Sequence, residues 1–402
     1  MIKLEELIQR YCPDGVKYKP LGKICNIKGR IGFRGYTRDD QVKEGEGALS
    51  LSPSNIQGGQ MDYTKGTYIT WAKYEESPEI KTYNGDIILC KTASVGKVAL
   101  VKDLPYKATI NPQLVVLKDI KCSAPFLTYA LGTNEVQRKI ISMAGVGSVP
   151  NIPQKALAEI EIPIPPLPVQ EEIVRILDAF EELQAELQAE LQKRKQQYNY
   201  YRDNLLSFEG RTDVQWKKLG DVAYYVKNRV NDSLITISNY VSVENLLQNR
   251  QGKTNASNVP DGSLIHYESG DILIGNIRPY LKKIWLADGD GGTNGDVLTI
   301  RANRELLTPE FLYQCLASDD FFQYDMNHAK GAKMPRGSKE DVLNYMIPIT
   351  SLAEQQRIAS ILDRFDRLTN DLTSGLPAEI EKRRQQYEYY RDKLLTFKRK
   401  GA

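Results

Sequence analysis

Residues 162–208 are IPIPPLPVQEEIVRILDAFEELQAELQAELQKRKQQYNYYRDNLLSF, and residues 347–397 are IPITSLAEQQRIASILDRFDRLTNDLTSGLPAEIEKRRQQYEYYRDKLLTF. The two stretches align at an offset of 185 in their first parts and at an offset of 189 near their ends. The residues before them also align, although with fewer identities. A repeat of this length indicates one structural unit present twice. We place the two units at about 16–208 and 214–397.

Both stretches have apolar residues at spacings of three, four or seven, which is the pattern of a coiled-coil seam. In the first stretch these are Ile173, Leu177, Phe180, Leu183, Leu187, Leu191, Tyr198, Tyr201, Leu205 and Phe208. In the second they are Ile358, Leu362, Phe365, Leu368, Leu372, Leu376, Ile380, Tyr387, Tyr390, Leu394 and Phe397. A continuous helix over 170–208 would be about 57 Å long. Gly375 and Pro377 predict a kink or break in the second helix.

The residues between the helical stretches predict mixed bodies of strands and short helices. Apolar, β-branched runs between glycine, asparagine and proline turns predict strands at Asp86–Cys90, Leu114–Leu117, Asp271–Ile274 and Asp296–Ile300. Phe126–Leu131 and Phe311–Leu316 predict helices. The expected fold class is α+β, with two similar mixed α/β domains separated by a pair of long antiparallel coiled-coil helices in a pseudo-two-fold internal repeat.

This organisation predicts five segments along the chain. They are an N-terminal segment 1–16 packing near the C-terminal helical region, a first body 17–160, a central helical region 161–210, a second body 211–345 and a C-terminal helical region 346–402.

Composition narrows the class of protein. The 402 residues carry a formal net charge of +3, which excludes a polycation but allows a nucleic-acid binder with positive charge on one face. The five cysteines are widely spaced, which argues against a disulfide framework or a zinc site. No apolar run approaches the length of a membrane span, and the N-terminus lacks the apolar run of a signal peptide. We therefore expect a soluble cytoplasmic protein.

Catalytic and cofactor motifs are absent from the sequence. Gly252-Lys253-Thr254 resembles half of a phosphate-binding loop, but Leu247 occupies the position of the required glycine. No dinucleotide-binding or hydrolase motif is present, so we expect a non-catalytic chain that binds neither metal nor cofactor.

Basic residues gather in both bodies together with aromatic, hydroxyl or amide side chains. Lysine and arginine contact phosphates, while arginine and asparagine can also recognise base edges. The first body offers Lys28, Arg30, Arg34, Tyr36, Arg38, Lys91, Thr92, Ser94 and Lys97 as candidate DNA contacts. The second body offers Asn276, Arg278, Tyr280, Lys282, Lys330, Lys333 and Arg336.

Four features in this order resemble the specificity subunit of type I restriction-modification systems. They are the Pro13-Asp14-Gly15-Val16 opening with Leu21-Gly22, the Gly-Asp-Ile-Leu strand followed by Arg278-Pro279-Tyr280, the Ile-Pro-Ile lead into each helix and the Gln-Gln-Tyr-x-Tyr-Tyr-Arg-Asp endings. The resemblance covers essentially the whole chain.

The resemblance implies a DNA-recognition subunit without catalytic activity of its own. Its two bodies would be target-recognition domains that each recognise one half of a bipartite, asymmetric DNA sequence. Its helices would dock two methyltransferase (modification) subunits, and restriction subunits would join through the complex. S-adenosylmethionine, ATP and magnesium would then be bound by the partner subunits. The candidate docking residues are Ile173, Leu177, Phe180, Tyr198, Tyr201, Leu205, Ile358, Leu362, Phe365, Tyr387, Tyr390 and Leu394.

The central helix also contains a tandem four-residue repeat, Leu183-Gln184-Ala185-Glu186 followed by Leu187-Gln188-Ala189-Glu190. All four residue types are found readily in helices, so this stretch predicts helix in any case. In the family that the chain resembles, short repeats at this place set the gap between the two half-sites. Leu183, Glu186, Leu187 and Glu190 are therefore candidate spacer residues.

Two other functions remain open from the residues alone. One is a DNA-modifying enzyme with an unrecognised catalytic site, which would bind a methyl donor by itself. The other is a coiled-coil scaffold that does not bind DNA, which would show no sequence-selective DNA retention.

Overall fold

The computed structural model describes residues 2–31, 35–145, 149–208, 210–370 and 374–401. The chain divides into two compact units. Unit 1 contains residues 1–184 and 383–402, and unit 2 contains residues 185–382. The first division falls between Gln184 and Ala185, inside the tandem repeat of the central helix. Each unit therefore contains one predicted body together with parts of both helical stretches.

Unit 1 combines short helices with two four-stranded sheets. Its α-helices are Ile2–Tyr11, Leu21–Ile24, Trp71–Glu75, Ala124–Leu131, Asn134–Met143, Gln154–Glu159, the first part of Leu167–Ser207 and the last part of Leu376–Leu394. Its strands are Tyr18–Pro20, Asn26–Gly29, Gln41–Val42, Gly47–Leu51, Ile56–Gln57, Gln60–Met61, Thr67–Thr70, Ile87–Cys90, Val98–Leu100, Ala108–Ile110, Leu114–Lys118 and Glu161–Pro163. Short 3-10 helices lie at Arg38–Asp40, Pro53–Asn55 and Pro78–Ile80.

Unit 2 has the same kinds of elements. Its α-helices are Leu219–Val222, Pro309–Leu316, Asp319–His328, Lys339–Leu343, Leu352–Asn370, the last part of Leu167–Ser207 and the first part of Leu376–Leu394. Its strands are Gln215–Lys218, Ala223–Tyr225, Arg229–Asn231, Tyr240–Val241, Ser263–Tyr267, Ile272–Gly275, Ile284–Leu286, Gly291–Thr293, Val297–Ala302 and Met346–Ile349. Its 3-10 helices are Asp232–Leu234 and Pro279–Leu281.

One antiparallel sheet has the same strand order in both units. In unit 1 Leu114–Lys118 pairs with Asn26–Gly29 on one side and with Ile87–Cys90 on the other. In unit 2 Val297–Ala302 pairs in the same way with Ala223–Tyr225 and Ile272–Gly275. The two central strands of this sheet in each unit, Ile87–Cys90 with Leu114–Lys118 and Ile272–Gly275 with Val297–Ala302, are buried and mostly apolar, so the sheet forms a core that the repeat preserves.

The other sheet differs between the units. In unit 1 Thr67–Thr70 pairs with Gly47–Leu51. In unit 2 Ser263–Tyr267 pairs instead with Gly291–Thr293, which in turn lies parallel to Tyr240–Val241. The bodies thus share one sheet and differ in the other.

Each unit also packs its body against its own part of the helical stretches. In unit 1 Phe126 and Leu127 share a core with Ile173, Leu177 and Leu394. The N-terminal segment joins this core, and the backbone N–H of Val16 donates to the carbonyl oxygen of Lys398 at 2.8 Å. In unit 2 the body residues Phe311 and Phe321 share a core with Ile358 and Leu362. Burying each such side chain contributes about 1.5–3 kcal/mol.

The predicted long helix is confirmed, since Leu167–Ser207 is one helix of 41 residues. The predicted break is confirmed too, because one helix ends at Asn370 and the next begins at Leu376. Both units mix strands and helices and the long helix joins them, which confirms the fold class. Among the described helices, none is long and apolar enough to cross a membrane.

Candidate nucleic-acid interface

In unit 1 the loop that follows strand Ile87–Cys90 is fixed to the segment that follows helix Asn134–Met143. Ala93 N–H donates to the Pro150 carbonyl at 2.9 Å, and Ile152 N–H donates to the Lys91 carbonyl at 2.9 Å. We call residues 91–97 and 149–152 the unit 1 loop pair. Because backbone bonds hold it, its side chains can vary without changing its shape.

The equivalent segments of unit 2 are fixed in the same way. Arg278 N–H donates to the Pro335 carbonyl at 2.7 Å, and Gly337 N–H donates to the Asn276 carbonyl at 3.1 Å. All four positions lie 185 residues after their unit 1 counterparts. We call residues 276–283 and 330–337 the unit 2 loop pair. The repeat therefore provides one backbone frame twice, carrying different side chains.

A left-handed backbone position is part of this frame. Ala93 has a φ of 65° and Arg278 has a φ of 55°, a region that residues other than glycine rarely occupy. Such conformations cost of order 1–3 kcal/mol and persist only where the surroundings enforce them. The backbone hydrogen bonds to the carbonyl oxygens of Pro150 and Pro335 hold Ala93 and Arg278 in this conformation.

The unit 2 loop pair brings two predicted clusters together. The exposed cations and aromatic ring on it are Arg278, Tyr280, Lys330, Lys333 and Arg336. Ile277 and Arg336 form a bridge between the two segments. Arg336 also lies 3.3 Å from Asp296, but its side chain stays 59% exposed. These residues form an exposed surface with excess positive charge, which suits a phosphate backbone.

Two predicted DNA contacts on the unit 2 loop pair, Asn276 and Lys282, are not on its exposed surface. Asn276 directly follows the buried strand Ile272–Gly275 and is only 6% exposed, so its side chain lies inside the unit. Lys282 is partly buried, and its ammonium group pairs with Asp319 at 2.8 Å. The structure thus places Asn276 away from the exposed surface of the loop pair, and its contact with DNA stays a prediction, while Lys282 first stabilises the loop.

The unit 1 loop pair carries fewer charges. Ser94 and Lys97 are exposed, and Lys91 and Thr92 are half-buried. Thr92 Oγ1 donates to Asn151 Oδ1 at 2.7 Å. Asn151 occupies the position of Arg336 in unit 2, and the sequence reasoning missed it. The offset of 185 would have found it.

The predicted basic cluster near the N-terminus contains both exposed and buried side chains. Lys28 and Arg38 are exposed. Arg30 is 5% exposed; its Nε donates to the Ile110 carbonyl at 3.1 Å and its Nη2 to Thr109 Oγ1 at 3.2 Å. Burial lowers the pKa of this guanidinium. The structure thus places Arg30 in the interior of unit 1, where its guanidinium bonds to a neighbouring strand, and its contact with DNA stays a prediction.

The two remaining members of that cluster are Tyr36 and Arg34. Tyr36 is half-buried, and its hydroxyl accepts a hydrogen bond from Ser50 Oγ at 2.9 Å. Arg34 lies outside the described residues.

An ionisable side chain lies beneath the unit 2 loop pair. Asp325 is 1% exposed, and neither its carboxylate oxygens nor Asn276 Oδ1 has a hydrogen-bond partner among the described residues. A β-carbon added at Gly337 would lie 2.2 Å from Asp325 Oδ1 and 2.8 Å from Asn276 Oδ1, so only glycine fits there. Burial raises the pKa of Asp325 to about 6, and nearby His328 partly opposes this.

The apolar seam of the helices lies inside the units. Ile173, Leu177, Ile358 and Leu362 are at most 1% exposed, and Leu394 and Tyr198 are also buried. Among the other candidate docking residues, Phe180 stacks on Tyr390, and Tyr387 and Leu205 are half-buried against the same cores. Tyr201 stacks on Phe365 but stays 39% exposed. The buried docking candidates therefore lie in the core of their own unit, and their role in docking stays a prediction.

Other apolar side chains of the helices face outward at equivalent positions. Tyr200 is 65% exposed in unit 2, and its counterpart Tyr389 is 60% exposed in unit 1. Leu183 and Leu368 form a second exposed pair, at 36% and 37%. Leu183 and Leu368 belong to the predicted seam, whereas Tyr200 and Tyr389 lie outside its spacing and were not predicted.

The candidate spacer residues differ in exposure and in hydrogen bonding. Glu186 is exposed and Leu187 is half-buried. Glu190 accepts a hydrogen bond from Arg194 Nε at 2.7 Å, one helical turn away.

The described part of the chain was predicted to hold neither a metal site nor a phosphate-binding loop. No group of three or more His, Cys, Asp or Glu side chains is arranged there to hold a metal ion. Lys253 Nζ donates to the Ser238 carbonyl at 2.7 Å, and Lys253 forms a β-bridge with Leu246, so the Gly252-Lys253-Thr254 segment belongs to a bridged loop of unit 2.

Comparisons with known proteins agree with this geometry. The chain is 35% identical over 272 residues to the specificity subunit of the type I restriction enzymes EcoR124I and EcoR124II of Escherichia coli, a match spanning 62% of each protein. It is 34% identical over 269 residues to a type I restriction enzyme specificity subunit of Haemophilus influenzae, spanning 60% of this chain and 65% of that protein. The matches thus span less than two thirds of either relative.

A solved structure has the same fold. The type I restriction-modification S subunit from M. genitalium aligns with a TM-score of 0.56 at 14% identity, over 95% of this chain and 96% of that one. The family model for the type I restriction modification DNA specificity domain matches residues 13–194 and 211–382. Because these two matches cover most of the sequence, the chain belongs to the family of type I restriction-modification DNA specificity proteins.

Proposed function

We propose that this chain selects the DNA target of a type I restriction-modification complex, and that each unit recognises one half of a bipartite, asymmetric sequence. The observation that carries the proposal is the pair of equivalent loop frames. Both frames use the same backbone hydrogen bonds, yet one presents Ser94 and Lys97 and the other presents Arg278 and Arg336. Identical frames with different side chains suit two domains that bind DNA alike and read different bases.

The proposed mechanism is binding alone. Exposed lysines and arginines would contact phosphates and fix the register, and loop side chains would read base edges in the major groove. The helix that joins the units would set the distance between the half-sites. S-adenosylmethionine, ATP and magnesium would be held by the partner subunits.

The proposed partners are two copies of one methyltransferase subunit, with restriction subunits joining through the complex. Support comes from the exposed apolar residues that occur at equivalent helix positions in both units. An apolar side chain more than half exposed, such as Tyr200 or Tyr389, suits a protein contact. Two equivalent surfaces on one chain suit two copies of the same partner.

The test is methylome sequencing of cells that co-express this chain with its modification subunit. We expect a motif of two different half-sites separated by unspecified bases. An Arg278→Ala/Arg336→Ala variant should lose discrimination in one half and keep the other unchanged, since each good base contact contributes about 1–3 kcal/mol.

The matched control is Arg304→Ala, an exposed arginine that bonds to the Ser269 carbonyl at the opposite end of strand Ile272–Gly275. It should leave both half-sites unchanged. A continuous motif, or simultaneous change of both halves in the loop variant, would contradict the proposal. Methyl-donor binding by the purified chain alone would favour an enzyme, and the absence of any sequence-selective DNA binding with the partner present would favour a scaffold.

A further inference from the structure

The two loop pairs each contain a β-bridge, and the side chains of the bridged residues differ between the units. Thr92 is bridged to Asn151 in unit 1, and Ile277 is bridged to Arg336 in unit 2. Both residues of the second bridge lie 185 residues after those of the first. Asn151 and Arg336 are exposed, so the same backbone position presents an amide in one unit and a guanidinium in the other.

The backbone around this position is held alike in both units. Gly145 N–H donates to the Asn151 carbonyl at 3.0 Å, and Lys330 N–H donates to the Arg336 carbonyl at 2.9 Å. The two donors also lie 185 residues apart. Because the main chain is fixed by these bonds and by the bridge, the units differ here in side-chain chemistry and not in backbone shape.

In unit 1 the bridge partner orients the Asn151 amide. Thr92 Oγ1 donates to Asn151 Oδ1 at 2.7 Å, and the asparagine side chain is otherwise exposed. This bond directs the amide oxygen toward Thr92 and leaves both amide hydrogens and the second lone pair of Oδ1 for a ligand. An N–H donor beside a carbonyl acceptor matches N7 and the N6 amino group of adenine in the major groove, which asparagine can contact with two hydrogen bonds.

In unit 2 the bridge partner is Ile277, whose side chain cannot form a hydrogen bond. Asp296 orients Arg336 instead, since its carboxylate lies 3.3 Å from Arg336 Nη2. The guanidinium has five N–H donors and its side chain stays 59% exposed, so most of these donors remain for a ligand. Two parallel N–H groups match O6 and N7 of guanine.

The orienting groups differ between the units together with the side chains that they hold. At the position 185 residues before Asp296, unit 1 has Asn111, whose amide donates to Gln113 Oε1 at 3.1 Å. A hydroxyl suits an amide, and a carboxylate suits a guanidinium. The exchange of both the side chain and its orienting partner indicates that the direction of this side chain matters in each unit.

We propose that Asn151 and Arg336 are equivalent base-reading residues: Asn151, positioned by Thr92, selects an adenine in the half-site of unit 1, and Arg336 selects a guanine in the half-site of unit 2. This inference rests on the proposed function and deepens it, because it assigns a base to one position of each half-site. Thr92 is a positioning residue, which acts on the adenine only through the amide of Asn151.

The test uses the purified complex of this chain with its modification subunit. Its affinity is measured for the target found by methylome sequencing and for duplexes that each carry one replaced base pair. Thr92→Val keeps the branched shape and removes the hydroxyl, so discrimination should fall about fivefold or more at a single adenine and stay unchanged elsewhere. Asn151→Ala should lose discrimination at the same adenine. Thr92→Ser restores the donor and should discriminate as the wild type does.

Exchange of the reading residues extends the test. Asn151→Arg should change the preferred base at that one position from adenine to guanine, and Arg336→Asn should change one guanine of the other half-site to adenine. The matched control is Asn84→Arg, which adds the same charge at an exposed asparagine before strand Ile87–Cys90, at the end of that strand opposite the loop pair. It should leave every base preference unchanged.

Unchanged discrimination in Thr92→Val and Asn151→Ala would show that the inference is wrong. Changes at several positions, changes in both half-sites, or a lost preference for a base other than adenine would do the same. Equal melting temperatures of the wild type, Thr92→Val and Thr92→Ser would show that the lost discrimination does not come from unfolding. If the wild-type complex has no two-part base preference, the proposed function fails instead.

Discussion

Replacing Asp325 by Asn should stabilise unit 2 at neutral pH. Asp325 is 1% exposed, and its carboxylate oxygens have no hydrogen-bond partner among the described residues. Burial raises its pKa from 3.8 to about 6. A rise of roughly two units corresponds to about 3 kcal/mol, by which ionisation of this group weakens the folded state above pH 6.

The direction of the pH dependence of unfolding follows from proton binding by Asp325. Between about pH 4 and 6 the folded chain holds the Asp325 proton and the unfolded chain releases it. The free energy of unfolding therefore falls as the pH rises through this window and stays low above it. Asparagine has nearly the same shape and no charge, so the variant should gain up to about 3 kcal/mol at pH 7.5 and little at pH 4.

Denaturant unfolding at pH 4.0 and 7.5 would measure this difference. Trp71 lies in unit 1, while Trp216 and Trp285 lie in unit 2, so a Trp71→Phe background restricts tryptophan emission to unit 2. The exposed Asp320→Asn on the same helix is the control, with an expected change within about 0.5 kcal/mol. Destabilisation by Asp325→Asn at pH 7.5, or an unchanged pH dependence, would refute the reasoning.

Three further outcomes follow from the placement of individual side chains. Arg30→Ala should lower the free energy of unfolding by about 2 kcal/mol, since two buried hydrogen bonds are lost; an unchanged melting temperature would contradict this. Arg38→Ala, at an exposed position, should preserve stability and reduce the salt-dependence slope of DNA binding by about one; an unchanged slope would remove Arg38 from the interface. Tyr200→Ala and Tyr389→Ala should each weaken one partner-binding step in native mass spectrometry without lowering the melting temperature, and full binding of both partner copies would count against these surfaces.

Much of the fold could be predicted because the repeat and the helical periodicity are local in the sequence. The seam that begins at Ile173 indicated the long helix, and Gly375 with Pro377 indicated its interruption. The strands after Gly85 and Gly270 could also be predicted, because a glycine in the sequence marks the turn before each of them. In the structure these glycines have left-handed φ values of 93° and 90°, which direct the chain into a buried strand.

The site was less predictable because a side-chain type does not determine its direction. Arg30 belongs to a basic stretch, but nearby backbone and hydroxyl oxygens of another strand draw it inside. Asn276 is two residues from Arg278, but it follows directly on the buried strand Ile272–Gly275 and is itself buried. The exposed Tyr200 and the buried Tyr198 are two residues apart, and only the packing of the helices distinguishes them.

The central claim is that two recognition units are held at a distance set by the helix between them. Deletion of Leu187–Glu190 removes four residues at the division between the units, about 6 Å of helix or one to two base pairs of DNA. Methylome sequencing of cells that co-express this variant and the modification subunit should show both half-sites unchanged and the gap between them shortened. An altered half-site, or an unchanged gap in a complex that still methylates DNA, would contradict the claim.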